Sequence, residues 1–158
     1  MYDLLKLLED NARCSDKELA AILGISEEEV RSAIEAFEKD GILRGYKAIV
    51  DWEKTERDVV TARIELKVIP KRDRGFEELA EMISGFDEVQ TLYLMSGGYD
   101  LAVTVVGKSF KDIANFVAHR LAPLESVQAT ATHFVLRKYK DKHTPFIDPE
   151  RDERGVVL

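Results

Sequence analysis

The first forty residues carry apolar side chains at helical spacing, in three blocks separated by short polar segments. The blocks are Leu4, Leu5, Leu7 and Leu8; then Leu19, Ala20, Ile22 and Leu23; then Val30, Ala33, Ile34 and Phe37. Ser15 and Ser26 precede the second and third blocks, and each has a glutamate three residues later, which is the pattern of a capping box. Gly24 separates these blocks and tolerates the left-handed conformation that ends a helix. The pattern predicts three helices over 1–41, the last two forming a helix-turn-helix.

The pattern changes after Gly41. Residues 42–52 favour a β-like conformation, and residues 53–58 are almost all charged, which is typical of a solvated linker. Beyond this linker, apolar residues alternate with polar ones from Ala62 to Val68, which predicts a half-buried strand ended by Pro70.

Helical and alternating segments follow each other to residue 139. Helical apolar stripes begin at Phe76 and Phe110, and strands are expected over 89–96, 101–106 and 127–139. Only a short turn with Gly97-Gly98-Tyr99 separates the two middle strands, so they must form a hairpin. The order βαββαβ predicts a ferredoxin-like domain, and the fold class is α+β. We expect a helix-turn-helix domain over 1–43, a linking strand and linker over 44–58, a βαββαβ domain over 59–140 and a tail over 141–158.

The two middle strands carry apolar residues on both faces. One face is expected to pack against the two helices, which leaves the other apolar face uncovered in a monomer. Because an exposed apolar face usually marks an interface, we expect a homodimer that forms face to face through this sheet.

Composition restricts the class of protein. The 158 residues are 45% hydrophobic and 34% charged, and no apolar run approaches the roughly 18 residues of a membrane-spanning helix. The acidic start lacks the features of a secretory signal, and the single Cys14 cannot form an internal disulfide. A cytoplasmic protein without a membrane partner is expected.

Residues suited to catalysis or metal binding are few. His119, His133 and His143 are scattered along the chain, and Cys14 is expected to pack as a small apolar side chain. No nucleophile elbow, phosphate-binding loop or metal-spaced carboxylate set occurs in the sequence. We therefore expect no enzyme activity, no cofactor and no metal.

The turn at residues 96–100 is the strongest candidate for a small-molecule site. Its sequence is Ser96-Gly97-Gly98-Tyr99-Asp100, and the two glycines leave backbone N–H groups accessible to a carboxylate. Asp100 can accept from an ammonium group, and Tyr99 can form a wall of the site. Thr130 and Thr132 add two hydroxyls on one face of the last strand. These groups suit an amino acid, although a tight hairpin and good strand formers explain the same residues.

A helix-turn-helix predicts binding to double-stranded DNA through its second helix, yet the local charge opposes this. Residues 26–40 contain six acidic residues and two basic ones, and the whole chain has a net charge of −7. DNA contact must therefore come from a local patch that works against the overall field. Glutamate can also accept from the amino group of cytosine. The candidate DNA contacts are Arg13, Lys17, Ser26, Glu29, Arg31, Ser32, Arg44 and Lys47.

The order and spacing of these motifs resemble the Lrp/AsnC (feast/famine) family of transcription regulators over nearly the whole chain. The matching segments are Asn11-Ala12-Arg13 with Glu18-Leu19-Ala20; Leu23-Gly24-Ile25-Ser26 with Val30, Ile34, Glu38 and Gly41-Ile42-Leu43; Gly45-Tyr46-Lys47-Ala48 with Asp51; Gly98-Tyr99-Asp100; and Thr130 with Thr132. In this family the N-terminal helix-turn-helix domain is winged-helix-like, and the C-terminal βαββαβ domain senses amino acids.

The resemblance implies a DNA-binding regulator that dimerises through its C-terminal sheets and assembles further into tetramers or octamers. It also implies an amino-acid effector that binds between dimers near Gly98-Tyr99-Asp100 and shifts the assembly or its DNA affinity. One alternative is an effector-sensing or co-assembly module of the same fold with weak or lost DNA binding, which the acidic third helix favours. A further alternative is an enzyme, because the sirohaem decarboxylases resemble this architecture.

Overall fold

The computed structural model describes residues 2–69 and 75–147. The chain divides into two compact units between Ile49 and Val50, and each unit is described by itself. The expected strand end at Pro70 and the tail residues beyond 147 lie outside the described part of the chain.

The first unit contains the three predicted helices, which are confirmed. They are α1 (Tyr2–Asp10), α2 (Asp16–Leu23) and α3 (Glu27–Lys39). Each helix contributes its apolar stripe to one shared core, whose buried residues are Leu4, Leu8, Leu19, Ala20, Val30 and Phe37. Cys14 is half-buried against this core, as expected for a small apolar side chain. The polar residues of α3 are consequently left on its outer face.

Local sequence explains where α2 and α3 begin and how the turn between them forms. The Ser15 and Ser26 hydroxyls accept from the backbone N–H of Glu18 and Glu29, and each glutamate accepts in return from the backbone N–H of its serine. These contacts satisfy N–H groups that have no partner inside the helix. Gly24 ends α2 with a φ of 68°, a left-handed conformation that side chains other than glycine adopt at a cost.

The β-like prediction for residues 42–52 is wrong in the structure. Residues 42–51 adopt neither helix nor strand, and Trp52–Lys54 form a short 3-10 turn. A strand is stabilised by hydrogen bonds to a neighbour, and no other strand of the described chain pairs with this segment. Its apolar side chains therefore remain exposed, among them Ile42, Tyr46, Ile49 and Val50.

The second unit has the predicted βαββαβ order. Its elements are β1 (Val60–Val68), α4 (Glu77–Ser84), β2 (Val89–Leu94), β3 (Leu101–Gly107), α5 (Phe110–Phe116) and β4 (Val127–Phe134). The four strands form one antiparallel sheet in the order β2-β3-β1-β4, with β1 and β3 at its centre. This is the ferredoxin-like arrangement, and the α+β fold class is confirmed.

One face of the sheet forms the core with the two helices. Ile64 and Leu66 of β1 are fully buried there, together with Val103 of β3, Ile83 of α4 and Ile113 of α5. At the edge of this core the rings of Phe110 and Phe134 meet edge to face at 4.7 Å. The alternation that predicted β1 therefore indicated correctly which of its residues face the helices.

Two strands end earlier than the sequence predicted. Strand β2 ends at Leu94 rather than at residue 96, because Met95 N–H donates to the Asp100 carbonyl and closes the turn. Strand β4 ends at Phe134 rather than at 139, because Val135 makes the last bond to β1, at Thr61. A small hairpin follows, formed by β5 (Lys140–Asp141) and β6 (Thr144–Pro145). Helix α5 also changes to a π-helical turn over Val117–Leu121.

The open face of the sheet is mixed rather than apolar, so the expectation of an apolar open face is wrong. Arg63, Glu65 and Lys67 alternate with the core residues of β1 and lie on this open face. Tyr93 and Ala102 face each other on the neighbouring strands, and Ala102 is buried. The prediction failed because it considered only β2 and β3, the middle strands in chain order, and not the charged residues of β1.

Candidate DNA-binding surface and ligand turn

Ser26 and Glu29, two of the candidate DNA contacts, form the capping box of α3. Glu29 Oε2 lies 2.8 Å from the backbone nitrogen of Ser26 and 2.7 Å from its hydroxyl oxygen. The backbone N–H and then the hydroxyl of Ser26 lower the pKa of this carboxyl. Glu29 is therefore a charged group committed to the start of the helix, where it also favours the helix dipole.

Arg31 is the central cation on the outer face of α3. Its Nε lies 3.5 Å from Asp16 Oδ2 at the start of α2, and its Nη1 lies 3.5 Å from Glu28 Oε2 one turn earlier on α3. The two carboxylates thus hold the guanidinium between the helices of the helix-turn-helix. Ser32, the next candidate, is exposed on the same helix.

The other basic candidates lie in three different places of the first unit. Arg13 is exposed in the turn between α1 and α2, and Lys17 is exposed in the first turn of α2. The Arg44 guanidinium lies against Gly41, where an added Cβ would be 3.5 Å from its Nη2. Lys47 is exposed in the extended segment that follows. Arg13 and Lys17 thus flank the start of α2, whereas Arg44 covers the end of α3.

Tyr46 is a contact that the sequence did not indicate. Its hydroxyl donates to Glu38 Oε1 at 3.0 Å, which ties the segment after α3 back to the helix. Partial burial and then the hydrogen bond to the Glu38 carboxylate raise the pKa of Tyr46. Tyr46 lies beyond the end of α3 and in no strand, so neither helical nor strand periodicity gave a signal for this pair.

The predicted ligand turn is present between β2 and β3. Ser96, Gly97 and Gly98 are exposed, and Gly97 has a φ of 151°, within the range that favours glycine. The backbone N–H groups of Gly97, Gly98 and Tyr99 donate to no other residue in the described part of the chain. The turn therefore presents consecutive free N–H groups, an arrangement that suits an anionic group such as a carboxylate.

Asp100 closes this turn and already has two partners. Its Oδ2 accepts from the backbone N–H of Val68 at 2.9 Å, and its Oδ1 lies 3.2 Å from Lys67 Nζ. The Val68 N–H, followed by Lys67, lowers the pKa of this carboxyl. Lys67 is the functional candidate that sequence analysis missed, because the pair joins a residue of β1 to a turn residue 33 positions later.

Thr130 and Thr132 do share a face, but the structure does not bring them to Asp100 within one protomer. They pair with Leu66 and Ile64 of β1, so they lie on the helix-covered side of the sheet. Lys67, the partner of Asp100, belongs to the open side. The candidate ligand-binding residues therefore lie on two different faces of the sheet, and the residues of the 96–100 turn are the ones that stay close together.

The histidines occupy unrelated positions. His119 Nδ1 lies 2.9 Å from the Asn115 carbonyl, His133 Nε2 lies 3.5 Å from Glu65 on the open face, and His143 is in the β5–β6 turn. Among residues 2–69 and 75–147, no group of three or more His, Cys, Asp or Glu side chains is arranged to hold a metal ion.

A helix-turn-helix unit joined to a ferredoxin-like unit with an exposed glycine turn defines a two-domain, ligand-responsive DNA-binding regulator. Residues 2–44 match the family model described as winged helix-turn-helix DNA-binding, and residues 61–145 match that of the Lrp/AsnC ligand binding domain. The chain belongs to the Lrp/AsnC family of transcriptional regulators and is not an enzyme of related architecture.

Relatives and solved structures agree with this assignment. The chain is 43% identical over 156 residues to the uncharacterized HTH-type transcriptional regulator YugG of Bacillus subtilis, covering 98% of this chain and 94% of the relative. It is 29% identical to the HTH-type transcriptional regulator LrpA of Pyrococcus abyssi, covering 87% and 94%. A transcriptional regulator from Neisseria meningitidis, solved in complex with L-Met, has the same fold with a TM-score of 0.71, 23% identity and coverage of 87% and 88%.

In the described ranges, every helix is too short or too polar to cross a bilayer.

Proposed function

We propose that this regulator binds a free amino acid at the 96–100 turn and that binding changes its assembly or its affinity for DNA. The observation that carries the proposal is the row of N–H groups at Gly97, Gly98 and Tyr99, which have no acceptor within the described ranges and which end at the Asp100 carboxylate. The N–H groups suit the carboxylate of an amino acid, and Asp100 suits its ammonium group. The Neisseria relative, whose solved complex contains L-Met, supports an effector of this class.

Asp100 can bind the ammonium group of a ligand only if Lys67 Nζ moves partly away from the carboxylate. The Lys67 side chain is half-exposed, and an exposed ion pair contributes little to stability, so one ammonium group can replace another at low cost. The bond from Val68 N–H holds the carboxylate in place during this exchange. Tyr99, which is half-buried, provides an apolar wall beside the turn. Thr130 and Thr132 of the same protomer take no part, and they join the site only if assembly brings them from a neighbour.

The proposed assembly begins with a dimer that forms through the open face of the sheet, and tetramers or octamers are built from it. Support comes from Ala129 and Ala131 on the outer strand β4, which are small and exposed on this face beside the partly apolar pair of Tyr93 and Ala102. Small side chains permit a second sheet to approach closely. An effector bound at a contact between protomers would stabilise the assembly that contains its site.

Two experiments test the proposal. A thermal-shift screen of the twenty amino acids against the whole chain is expected to give at least one hit, which Asp100→Ala abolishes. Light scattering after size exclusion is expected to show a dimer or larger species, which Ala131→Glu shifts towards monomer. Ala114→Glu, an equally large charge added on the exposed side of α5, is the control and should leave the mass unchanged. A monomeric wild-type chain without a hit would refute the proposal.

A further inference from the structure

Arg31 occupies a position in α3 that suits contact with a base rather than with the DNA backbone. In a helix-turn-helix the second helix lies in the major groove, and residues near its start contact the base edges. Arg31 is five residues after the cap residue Ser26 and lies on the outer face, away from the buried Val30 and Phe37. It is also the first Lys or Arg of α3, since the next basic residue is Lys39 in the last turn.

The surroundings of Arg31 orient its guanidinium before DNA binds. Asp16 approaches the Nε edge and Glu28 approaches Nη1, each at 3.5 Å, and Asp16 belongs to the preceding helix. At this distance the contacts are weak ion pairs, so the N–H groups stay available to a stronger acceptor. A long side chain that is already held in one region loses less conformational freedom on binding.

From these contacts we infer that Arg31 specifies a guanine in the operator and that Asp16 and Glu28 are its positioning residues. A guanine presents two acceptors, O6 and N7, on its major-groove edge, and the planar fork of an arginine matches both. The same carboxylates disfavour a phosphate contact, because a phosphate placed on this guanidinium would also meet Asp16 and Glu28. An acidic setting around the arginine therefore favours a neutral base edge over the charged backbone.

The acidic residues of α3 also change the balance between specific and non-specific DNA binding. Glutamates near the DNA weaken non-specific binding, which depends on neutralising phosphates. A helix that binds the backbone poorly depends more heavily on the few base contacts that remain. The inference concerns DNA and does not require the proposed amino-acid site, so each can fail without the other.

The test begins with selection of duplexes from a randomised library by the full-length wild-type chain. Affinities are then measured for the selected duplex and for duplexes in which each G·C pair is replaced in turn by A·T. Arg31→Ala is expected to lower affinity for the selected duplex by about 5- to 150-fold and to abolish discrimination at one guanine only. Arg31→Lys, which keeps the charge but lacks the fork, should lose the same discrimination without changing the dependence on salt.

The positioning role of Asp16 is tested by its own variants. Asp16→Asn is expected to reduce discrimination at that same guanine, and Asp16→Glu, which keeps the carboxylate, is expected to restore most of it. Glu35→Gln is the matched control: it removes one negative charge from the exposed side of α3 but has no ion pair with Arg31 among the described contacts. Both neutralising variants should raise non-specific affinity equally, whereas only Asp16→Asn should relax the base preference.

Three results would overturn the inference. If Arg31→Ala weakens all duplexes by one factor and reduces the salt slope by about one, Arg31 contacts a phosphate. If the Arg31 variants lower thermal stability and leave discrimination intact, the ion pairs only hold α2 against α3. Failure of the wild-type chain to enrich any sequence would equally remove the basis for a guanine contact.

Discussion

Asp100, the residue before β3, and Lys67 of β1 form an ion pair, with 3.2 Å between the carboxylate oxygen and the ammonium nitrogen. The same carboxylate accepts from Val68 N–H, so the turn after β2 is fixed to the central strand by one residue. The site proposed for an effector is therefore anchored to the central strand β1, and Ser96, Gly97 and Gly98 remain exposed.

The Asp100 contacts predict a pH-dependent contribution to stability. Val68 N–H and Lys67 lower the folded-state pKa of this carboxyl. The contribution of Asp100 to the free energy of unfolding is therefore present above the unfolded pKa of about 3.9. It is lost as the pH falls through the lower folded-state pKa. Asp100→Asn is expected to melt below the wild type at neutral pH, with a gap that closes in acid. Asp87→Asn, at an exposed carboxylate, is the control for melts followed by circular dichroism. A gap that persists unchanged in acid would contradict the assignment.

Gly98 offers a test of the turn that separates binding from folding. An added Cβ at Gly98 meets nothing within 4 Å, and its backbone is not in the glycine-favouring range, so Gly98→Ala should alter stability by less than about 0.5 kcal/mol. The same methyl group covers N–H groups that a carboxylate needs, so the thermal shift given by the effector should disappear. An unchanged shift would mean that the ligand does not approach the backbone here.

Helix caps and turns could be predicted from the sequence, whereas contacts between distant segments could not. The caps at Ser15 and Ser26 and the turn at Gly24 depend on a few neighbouring residues, and the structure confirms them. The strand expected over 42–52 depends on a partner that periodicity cannot supply, and it is absent from the described residues. The pairing of Thr130 with Leu66 decides its face, and that register becomes visible only in the folded sheet.

The capping box of α3 is expected to contribute measurably to the stability of the helix-turn-helix unit. Ser26→Ala removes the acceptor for Glu29 N–H and one donor to the Glu29 carboxylate, which typically costs about 0.5–2 kcal/mol. Ser32→Ala is the matched control, because Ser32 is exposed within the same helix and alanine is a better helix former. Chemical unfolding should show loss of stability for the first variant and a neutral or small stabilising effect for the second. Equal effects would show that the box is not formed in solution.

Lys17 is predicted to contact a phosphate, in contrast to Arg31. It is exposed in the first turn of α2, the helix that crosses the DNA backbone in a helix-turn-helix, and it has no ion pair among the described residues. Lys17→Gln is therefore expected to weaken every duplex by a similar factor and to reduce the slope of log affinity against log salt by about 0.9. Lys6→Gln removes the same charge from the exposed side of α1 and should change the slope much less. If both variants changed the slope equally, overall charge rather than a defined contact would explain the effect, and the assignment of Lys17 would be wrong.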